Sequence, residues 1–137
     1  MKKLVGALIL SVILVLSGCS EAKTVTTDEV IKVFKDAGLE AENPVVLTAE
    51  DLDVLPFTVS KVVRSSVPSL GEAEGLRIFI FDNKKSLDAA KAYFDKMAKS
   101  SKMFSSWTAT NGNVLIQLSG GVKEEDFNKY KAALKKL

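Results

Sequence analysis

The spacing of apolar and polar positions along the chain predicts three helices. Thr26 and Glu29 have the spacing of a capping box, which marks the start of the first helix, and Gly38 supplies a stop for it. The second helix is expected after residues 82–86 and the third over residues 123–137. The apolar faces of the three helices are Val30, Val33, Phe34 and Ala37; Leu87, Ala90, Tyr93, Phe94 and Met97; and Phe127, Tyr130, Leu134 and Leu137.

Strands are predicted between the helices, where apolar residues run together or alternate with a period of two. Residues 45–47 and 57–64 form two short candidates. Residues 76–81 (LRIFIF) are apolar on both faces apart from Arg77, a pattern typical of a strand in the centre of a sheet. We therefore expect this strand to have a neighbour on each side.

The segment 103–119 predicts a β-hairpin, because Asn111-Gly112 is a strong signal for a two-residue turn. With those two residues in the turn, Thr110 is expected opposite Asn113. Trp107 then shares a face with the apolar residues of the second strand, and we interpret it as a core tryptophan whose indole N–H needs an acceptor. A tryptophan that lines a ligand pocket is the alternative.

Together these elements predict an α+β fold in the order α-β-β-β-α-β-β-α. The expected architecture is an antiparallel sheet of about four to five strands with three helices, mainly on one face. On the other face we hypothesise a contact surface for a partner or ligand. Its residues are Arg77, Phe79, Phe81, Thr108 and Gln117. The alternative is that residues 39–56 fold over this face and cover it.

The first residues have the organisation of a secretory signal. Two lysines precede an apolar run of 13 residues, Leu4 to Leu16, whereas a membrane-spanning helix needs about 20. The run ends in Leu16-Ser17-Gly18-Cys19, which resembles the lipobox of bacterial lipoproteins. The resemblance implies cleavage between Gly18 and Cys19 and a diacylglyceryl group on Cys19, often with acylation of the new amino terminus. A retained leader with a buried or redox-active cysteine is the alternative.

The implied processing divides the chain into three parts. Residues 1–18 are a removed signal peptide, residues 19–26 a lipidated tether, and residues 27–137 a single globular domain. The lipid implies attachment to the extracytoplasmic face of the cell membrane, and two acyl chains hold a protein there stably. Phrases such as SSWTATNGNVLIQLSG resemble short lipoproteins of Bacillus-like bacteria and favour a Gram-positive host. In a cell with two membranes, Ser20 after the cysteine implies the outer membrane.

Charge and cysteine content narrow the range of partners. The leader contains two of the 19 basic residues and none of the 17 acidic ones, so its removal leaves a neutral chain. With only two arginines, Arg64 and Arg77, such a chain is a poor nucleic-acid binder, and we expect no nucleic-acid partner. Cys19 is the single cysteine, and lipidation accounts for it. Lysines of the last helix are expected to contact anionic lipid.

The sequence gives little support to catalysis. The chain has no histidine, which removes the commonest general base near neutral pH and the triads built on it. Asp51 with Asp53 and Glu72 with Glu74 do not fit a calcium loop, and we interpret them as solvated surface. Residues 124–126 begin a helix, where carboxylates interact favourably with the helix dipole. We therefore predict no catalytic residue, no metal site and no cofactor.

Three functions from different classes remain. The first is a non-catalytic interaction or accessory module of the cell envelope, held at the membrane through Cys19 and bound to an envelope protein partner. The second is a small-ligand-binding lipoprotein with a pocket between sheet and helices, near Trp107, Phe79 and Arg77. The third, with the least support, is a hydrolase that uses carboxylates alone.

Overall fold

The structure, a computed structural model, describes residues 24–52, 54–71 and 74–137. Its helices and strands are α1 (Thr27–Asp36), β1 (Glu42–Val46), β2 (Lys61–Ser66), β3 (Gly75–Ile80), α2 (Lys84–Ser100), β4 (Ser106–Asn111), β5 (Val114–Ser119) and α3 (Glu124–Leu134). Two 3₁₀ turns, Pro68–Leu70 and Lys102–Phe104, precede β3 and β4. Within the described residues this succession confirms the predicted α+β class and the predicted order of elements.

The five strands form one antiparallel sheet in the order β1-β2-β3-β5-β4. β3 occupies the centre, as its apolar sequence predicted. β1 is an edge strand. Pro44 is tolerated there because an edge strand is paired on one side only, so the missing N–H of a proline need not leave a ladder hydrogen bond unmade. The register of β1 is irregular after Glu42, where Asn43 has a φ of 47°. Regular pairing with β2 is therefore confined to the last two residues of β1.

Each face of the sheet is covered by its own helices. α1 and α3 pack on the first face, over residues such as Leu76, Ile78 and Ile116. α2 packs on the second face, over Phe79 and Leu115. Because both faces of the central strand are apolar, each needs a layer that excludes water. The prediction that the helices lie mainly on one face holds for α1 and α3, whereas α2 takes the opposite face.

The hairpin between β4 and β5 turns one residue later than predicted. Gly112 and Asn113 occupy the turn, and Trp107 lies opposite Leu118. Gly112 has a φ of 56° and Asn113 has a negative φ, which fits a type II′ turn with glycine first. The predicted turn at Asn111-Gly112 is therefore wrong by one residue. The change moves the pairing by an even number of positions, so every side chain stays on its predicted face.

The Asn113 side chain ties the start of the domain to this turn. Its Oδ1 accepts a hydrogen bond from the Val25 N–H at 3.0 Å, and its Nδ2 donates to the Val25 carbonyl at 3.1 Å. Val25 is buried, and the predicted capping box of Thr26 and Glu29 follows it at once. Val25 is therefore packed against the hairpin as part of the same domain.

Trp107 belongs to the core of the first face, as predicted. Its ring stacks on Phe127 with centroids 5.3 Å apart, and its indole N–H donates to the Val122 carbonyl at 2.7 Å. This hydrogen bond satisfies the polar atom that packing would otherwise leave unpaired. Trp107 lies on the opposite side of the sheet from the groove described below.

Candidate ligand-binding groove

The second face of the sheet contains a buried aromatic row. Phe79 and Phe81 are only 1 % and 2 % exposed, and the Phe79 ring lies 5.4 Å from the Phe94 ring of α2. The segment before β2 adds Leu55 and Phe57 to the same cluster. The predicted contact surface is therefore wrong for both phenylalanines. The alternative, a cover formed by residues 39–56, supplies only part of the layer, and α2 supplies the rest.

Beside this aromatic row, four polar side chains cross the sheet, one from each of four adjacent strands. Arg64 of β2 lies opposite Arg77 of β3. Arg77 lies in turn opposite Gln117 of β5, which lies opposite Thr108 of β4. Directly opposite residues share a face, so all four belong to the second face. The structure thus brings together the predicted Arg77, Thr108 and Gln117, and adds Arg64.

The next row on the same face consists of small residues. Ser66 lies opposite Gly75, and Ser106 lies opposite Ser119. The Gly75 N–H donates to the Ser119 Oγ at 2.9 Å, so these two residues of the row are hydrogen-bonded to each other. Because no side chain here is large, nothing from the sheet fills the space beyond the arginines. A depression results at this end of the second face.

This depression is a groove of about 740 Å³. Its floor includes the two arginines and Gln117. Its walls come from α2, from the 3₁₀ turn Lys102–Phe104 and from the chain on either side of the sheet, through Tyr93, Met97, Met103, Phe104, Glu74, Gly120 and Gly121. Sites for small molecules commonly measure about 300–1,000 Å³. The groove is therefore large enough for a ligand of modest size.

Positive charge exceeds negative charge in the groove. The charged residues that line it are three basic ones and one acidic one, Arg64, Arg77, Lys102 and Glu74. Within the described residues, no carboxylate oxygen lies within 4.0 Å of either guanidinium. Like charges directly opposite each other on a sheet destabilise it, by up to about 1 kcal/mol. We therefore expect an anion that lies between the two groups to stabilise the folded protein.

Two carboxylates near the row bond to groups other than the arginines. Asp95 accepts hydrogen bonds from Lys91 at 2.7 Å and from the Thr108 hydroxyl at 3.0 Å. Asp51 accepts from the backbone N–H and the hydroxyl of Thr48, at 2.8 and 2.9 Å. These bonds, with a smaller contribution from the charge of Arg64, lower the pKa of Asp51. Neither carboxylate forms an ion pair with the arginines.

Glu74 contributes an unused acceptor to the groove. Its Oε2 is buried and has no hydrogen-bond partner among the described residues. The carboxylate lies against Gly121, where an added Cβ would come within 3.0 Å of it. A buried acceptor without a partner costs about 1–3 kcal/mol. A ligand that places an N–H or O–H donor near this oxygen would remove that cost.

A second cavity, of about 350 Å³, lies at the carboxyl end of α1 and has its polar groups paired internally. The Tyr130 hydroxyl donates to the Glu40 carbonyl at 2.6 Å, and burial raises the pKa of Tyr130 to about 12. The Glu40 carboxylate accepts from the Ser69 N–H at 2.8 Å, and Lys129 pairs with Asp126 at 3.0 Å. We therefore take the larger groove as the candidate site.

The part of the chain that the structure describes contains no group of three or more histidine, cysteine or acidic residues placed to hold a metal. Glu124, Glu125 and Asp126 lie in the first turn of α3, as the sequence predicted. Asp53 and Glu72, which the sequence analysis paired with Asp51 and Glu74, lie outside the described residues.

Sequence reasoning missed the pairing of Arg64 with Arg77 and the position of Glu74. The sequence contains only two arginines, and each lies in a predicted strand. The missing information was the register between β2 and β3, because the link from residue 67 to residue 74 is too long to define it. Glu74 was interpreted as solvated surface because nothing local shows that Gly121 lies beside it.

The predicted lipidation site at Cys19 and the cleavage position after Gly18 lie outside the described residues. Of the helices that the structure describes, none combines the length and the apolar character that a bilayer crossing requires.

Comparisons with known protein families, with curated proteins and with solved structures find no match to this chain. The chemistry of the groove and the sequence of the first 20 residues are therefore the basis for a functional proposal.

Proposed function

We propose that this protein is a lipid-anchored, non-catalytic binding module on the extracytoplasmic face of the cell membrane, and that its groove binds an anionic ligand. The observation that carries the proposal is the pair of Arg64 and Arg77, directly opposite, exposed and without an ion-pair partner in the described residues. Guanidinium groups bind carboxylate and phosphate oxygens through two parallel hydrogen bonds. One oxyanion between the two arginines would replace their repulsion with attraction.

This function combines the envelope module and the ligand pocket that the sequence analysis held as alternatives. It uses Arg77 and Gln117 from the predicted contact surface, and it does not use the buried phenylalanines. It requires no catalytic group, because the arginines supply binding and orientation. An envelope protein partner that receives or presents the ligand remains part of the proposal.

The position of the groove suits a module that faces away from its membrane. Val25 is bonded to the turn at Asn113, whereas the groove lies at the other end of β5, near Gly120. The six residues of β5 separate these ends by about 20 Å at 3.3 Å per residue. A tether from Cys19 to Val25 reaches about 20 Å at most. The turn end would therefore stay near the bilayer while the groove opens towards the surroundings.

The same geometry supports the expected contact between lysines and anionic lipid. The Leu134 carbonyl, at the end of α3, accepts a hydrogen bond from the Asn111 side chain at 2.8 Å, so the last turn of α3 lies at the turn end of the sheet. Lys131, Lys135 and Lys136 are exposed there. A basic side chain near an anionic surface contributes about 1 kcal/mol.

Lipidation at Cys19 is tested by metabolic labelling with an alkyne fatty acid in a bacterial host. We expect the wild-type chain to carry the label and to have the intact mass of residues 19–137 plus lipid, because the lipobox directs both modification and cleavage. Cys19→Ser should lose the label, since serine has no thiol for the thioether. Ser20→Ala is the matched control and should be labelled normally. An unlabelled wild-type chain that keeps residues 1–18 would contradict the anchor.

Anion binding is tested by thermal unfolding in sodium phosphate and in sodium chloride at equal ionic strength. The protein is used as purified from a bacterial host, in phosphatidylcholine nanodiscs. We expect phosphate to raise the melting temperature of the wild type, because a ligand that binds only the folded state stabilises it. Arg77→Gln and Arg64→Gln should each weaken phosphate binding at least about tenfold, given the strength of hydrogen bonds to charged groups.

The stability of the same variants without phosphate gives a second test, because replacing an arginine with a purely structural role would not raise it. Without phosphate, Arg77→Gln should be slightly more stable than the wild type, because removing one of two opposed like charges relieves repulsion. Lys131→Gln removes the same charge from the far side of the molecule and should keep the full response to phosphate. Since phosphate also stabilises proteins generally, an equal rise in all four proteins would count against the groove.

A further inference from the structure

The groove has an apolar rim as well as a charged floor. Met103 and Phe104 are 84 % and 54 % exposed, which is unusual for side chains of this size, and both line the groove. Leu55 and Met97 line it from neighbouring segments. Apolar side chains from three segments of the chain thus line the same groove as the arginines, unlike apolar residues that are scattered singly over a surface.

We infer that the ligand is an anionic amphiphile, a small molecule with one carboxylate or phosphate head on a short apolar body. The head lies between Arg64 and Arg77, and the body packs against Met97 and Phe104. This inference rests on the proposed function, since it assigns a chemical class to the ligand of the same groove. A fully hydrated inorganic anion would use the floor and leave the rim exposed to water. A neutral apolar molecule would use the rim and leave the two charges unpaired.

Charge complementarity gives the head its position. Arg64, Arg77 and Lys102 supply donors to the groove, and neither Asp51 nor Asp95, whose oxygens accept hydrogen bonds from other residues, forms an ion pair with the arginines. Glu74 adds discrimination, because its unpartnered Oε2 accepts a donor but repels a second anionic group. The lining therefore favours a head with one oxyanion, and with a hydroxyl or amine nearby, over a polyanion.

The apolar rim gives the body its affinity. Each buried methylene adds about 0.8 kcal/mol, which is about fourfold in affinity. A six-carbon chain that lies partly against Met97 and Phe104 should therefore bind at least about tenfold tighter than the same head without a chain. This difference in affinity is the measurable consequence of the amphiphile.

The experiment is calorimetric titration of the full chain in phosphatidylcholine nanodiscs, with empty nanodiscs as the blank. The probes are hexyl phosphate, hexanoate, inorganic phosphate and hexanol. We expect hexyl phosphate or hexanoate to bind at least about tenfold tighter than inorganic phosphate, and hexanol to bind weakly. The tighter of the two acids identifies the oxyanion that the groove takes.

Two variants test whether the hexyl chain binds against the apolar rim of the groove. Phe104→Ser should reduce the advantage of the hexyl chain by about threefold to tenfold and leave the affinity for inorganic phosphate unchanged. Val46→Ser is the matched control, because Val46 is equally exposed, at 55 %, but lies on the first face of the sheet opposite Val63. It should leave the affinities for all four probes unchanged.

The outcomes separate the two proposals. Hexyl phosphate and hexanoate that bind no tighter than inorganic phosphate, while binding still depends on Arg77, would overturn the amphiphile and leave the anion-binding groove. Hexanol that binds as tightly as the acids would also overturn the amphiphile, since the charge would then contribute nothing. Absence of binding by every anion would overturn the groove itself.

Discussion

Phe79→Ala is expected to lower the free energy of unfolding by about 3–5 kcal/mol, the range for truncating a buried phenylalanine. Phe79 is buried at the centre of the second face, opposite Val62 on β2 and Leu115 on β5. Its ring stacks on Phe81 at 6.4 Å and contacts Phe94 at 5.4 Å. Alanine would leave a cavity between sheet and helix that the rigid strands cannot close.

Chemical unfolding of the full chain, followed by circular dichroism, measures this change. Phe104→Ala is the matched control, because it removes the same atoms from an exposed ring and should change the stability by less than about 0.5 kcal/mol. The comparison also decides between two roles for Phe79. A Phe79 variant as stable as the wild type would mean that the ring lies on an accessible contact surface, and it would contradict the position of α2.

Gly120→Ala is expected to cost about 2–3 kcal/mol, at the upper end of the range for overpacking. An added Cβ at Gly120 would lie 2.7 Å from the Ser105 carbonyl carbon and closer still to the oxygens of Ser105. Ser105 is held in place, since its hydroxyl donates to the Lys102 carbonyl at 2.9 Å. The clash is with backbone, so one of the two chain segments must move.

Two neighbouring glycines supply the comparison for Gly120. At Gly75 an added Cβ meets only the Ser65 carbonyl oxygen at 3.7 Å, an ordinary contact, so Gly75→Ala should change stability by less than about 1 kcal/mol. At Gly121 the obstacle is the flexible end of the Glu74 side chain, so Gly121→Ala should cost less than Gly120→Ala. Equal stability of all three variants in thermal unfolding would exclude a close approach at Gly120.

Most helices and strands could be predicted from the sequence, because caps, apolar runs and turn residues are local patterns. The capping box at Thr26 and Glu29 forms as predicted, and the apolar run of 76–81 becomes the central strand. The hairpin was found, but its turn was displaced by one residue, since both Asn111-Gly112 and Gly112-Asn113 satisfy a two-residue turn. The bonds from Asn113 to Val25 favour the second choice, and they join residues 88 positions apart.

The candidate site was only partly predictable. Arg77, Thr108 and Gln117 were correctly assigned to one face, because alternation along a strand determines which side chains share a side. Phe79 and Phe81 share that face and yet are buried, because the choice of face for α2 depends on packing across the whole sheet. Alternation places the aromatic and the polar rows on the same side, and only the position of the helix distinguishes them.

The sequence by itself therefore determined the order of helices and strands and, within the central strand and the hairpin, which residues share a face. It also contains the pattern that predicts a lipoprotein leader. These features depend on the periodicity of apolar residues and on the spacing of residues close together in the chain, and both can be read from a short segment of sequence. The tertiary structure decided that α2 covers the aromatic row, that Arg64 meets Arg77, and that Glu74 and Phe104 border the same groove. Those contacts join segments far apart in the chain, and their energies depend on register and packing that no local pattern encodes.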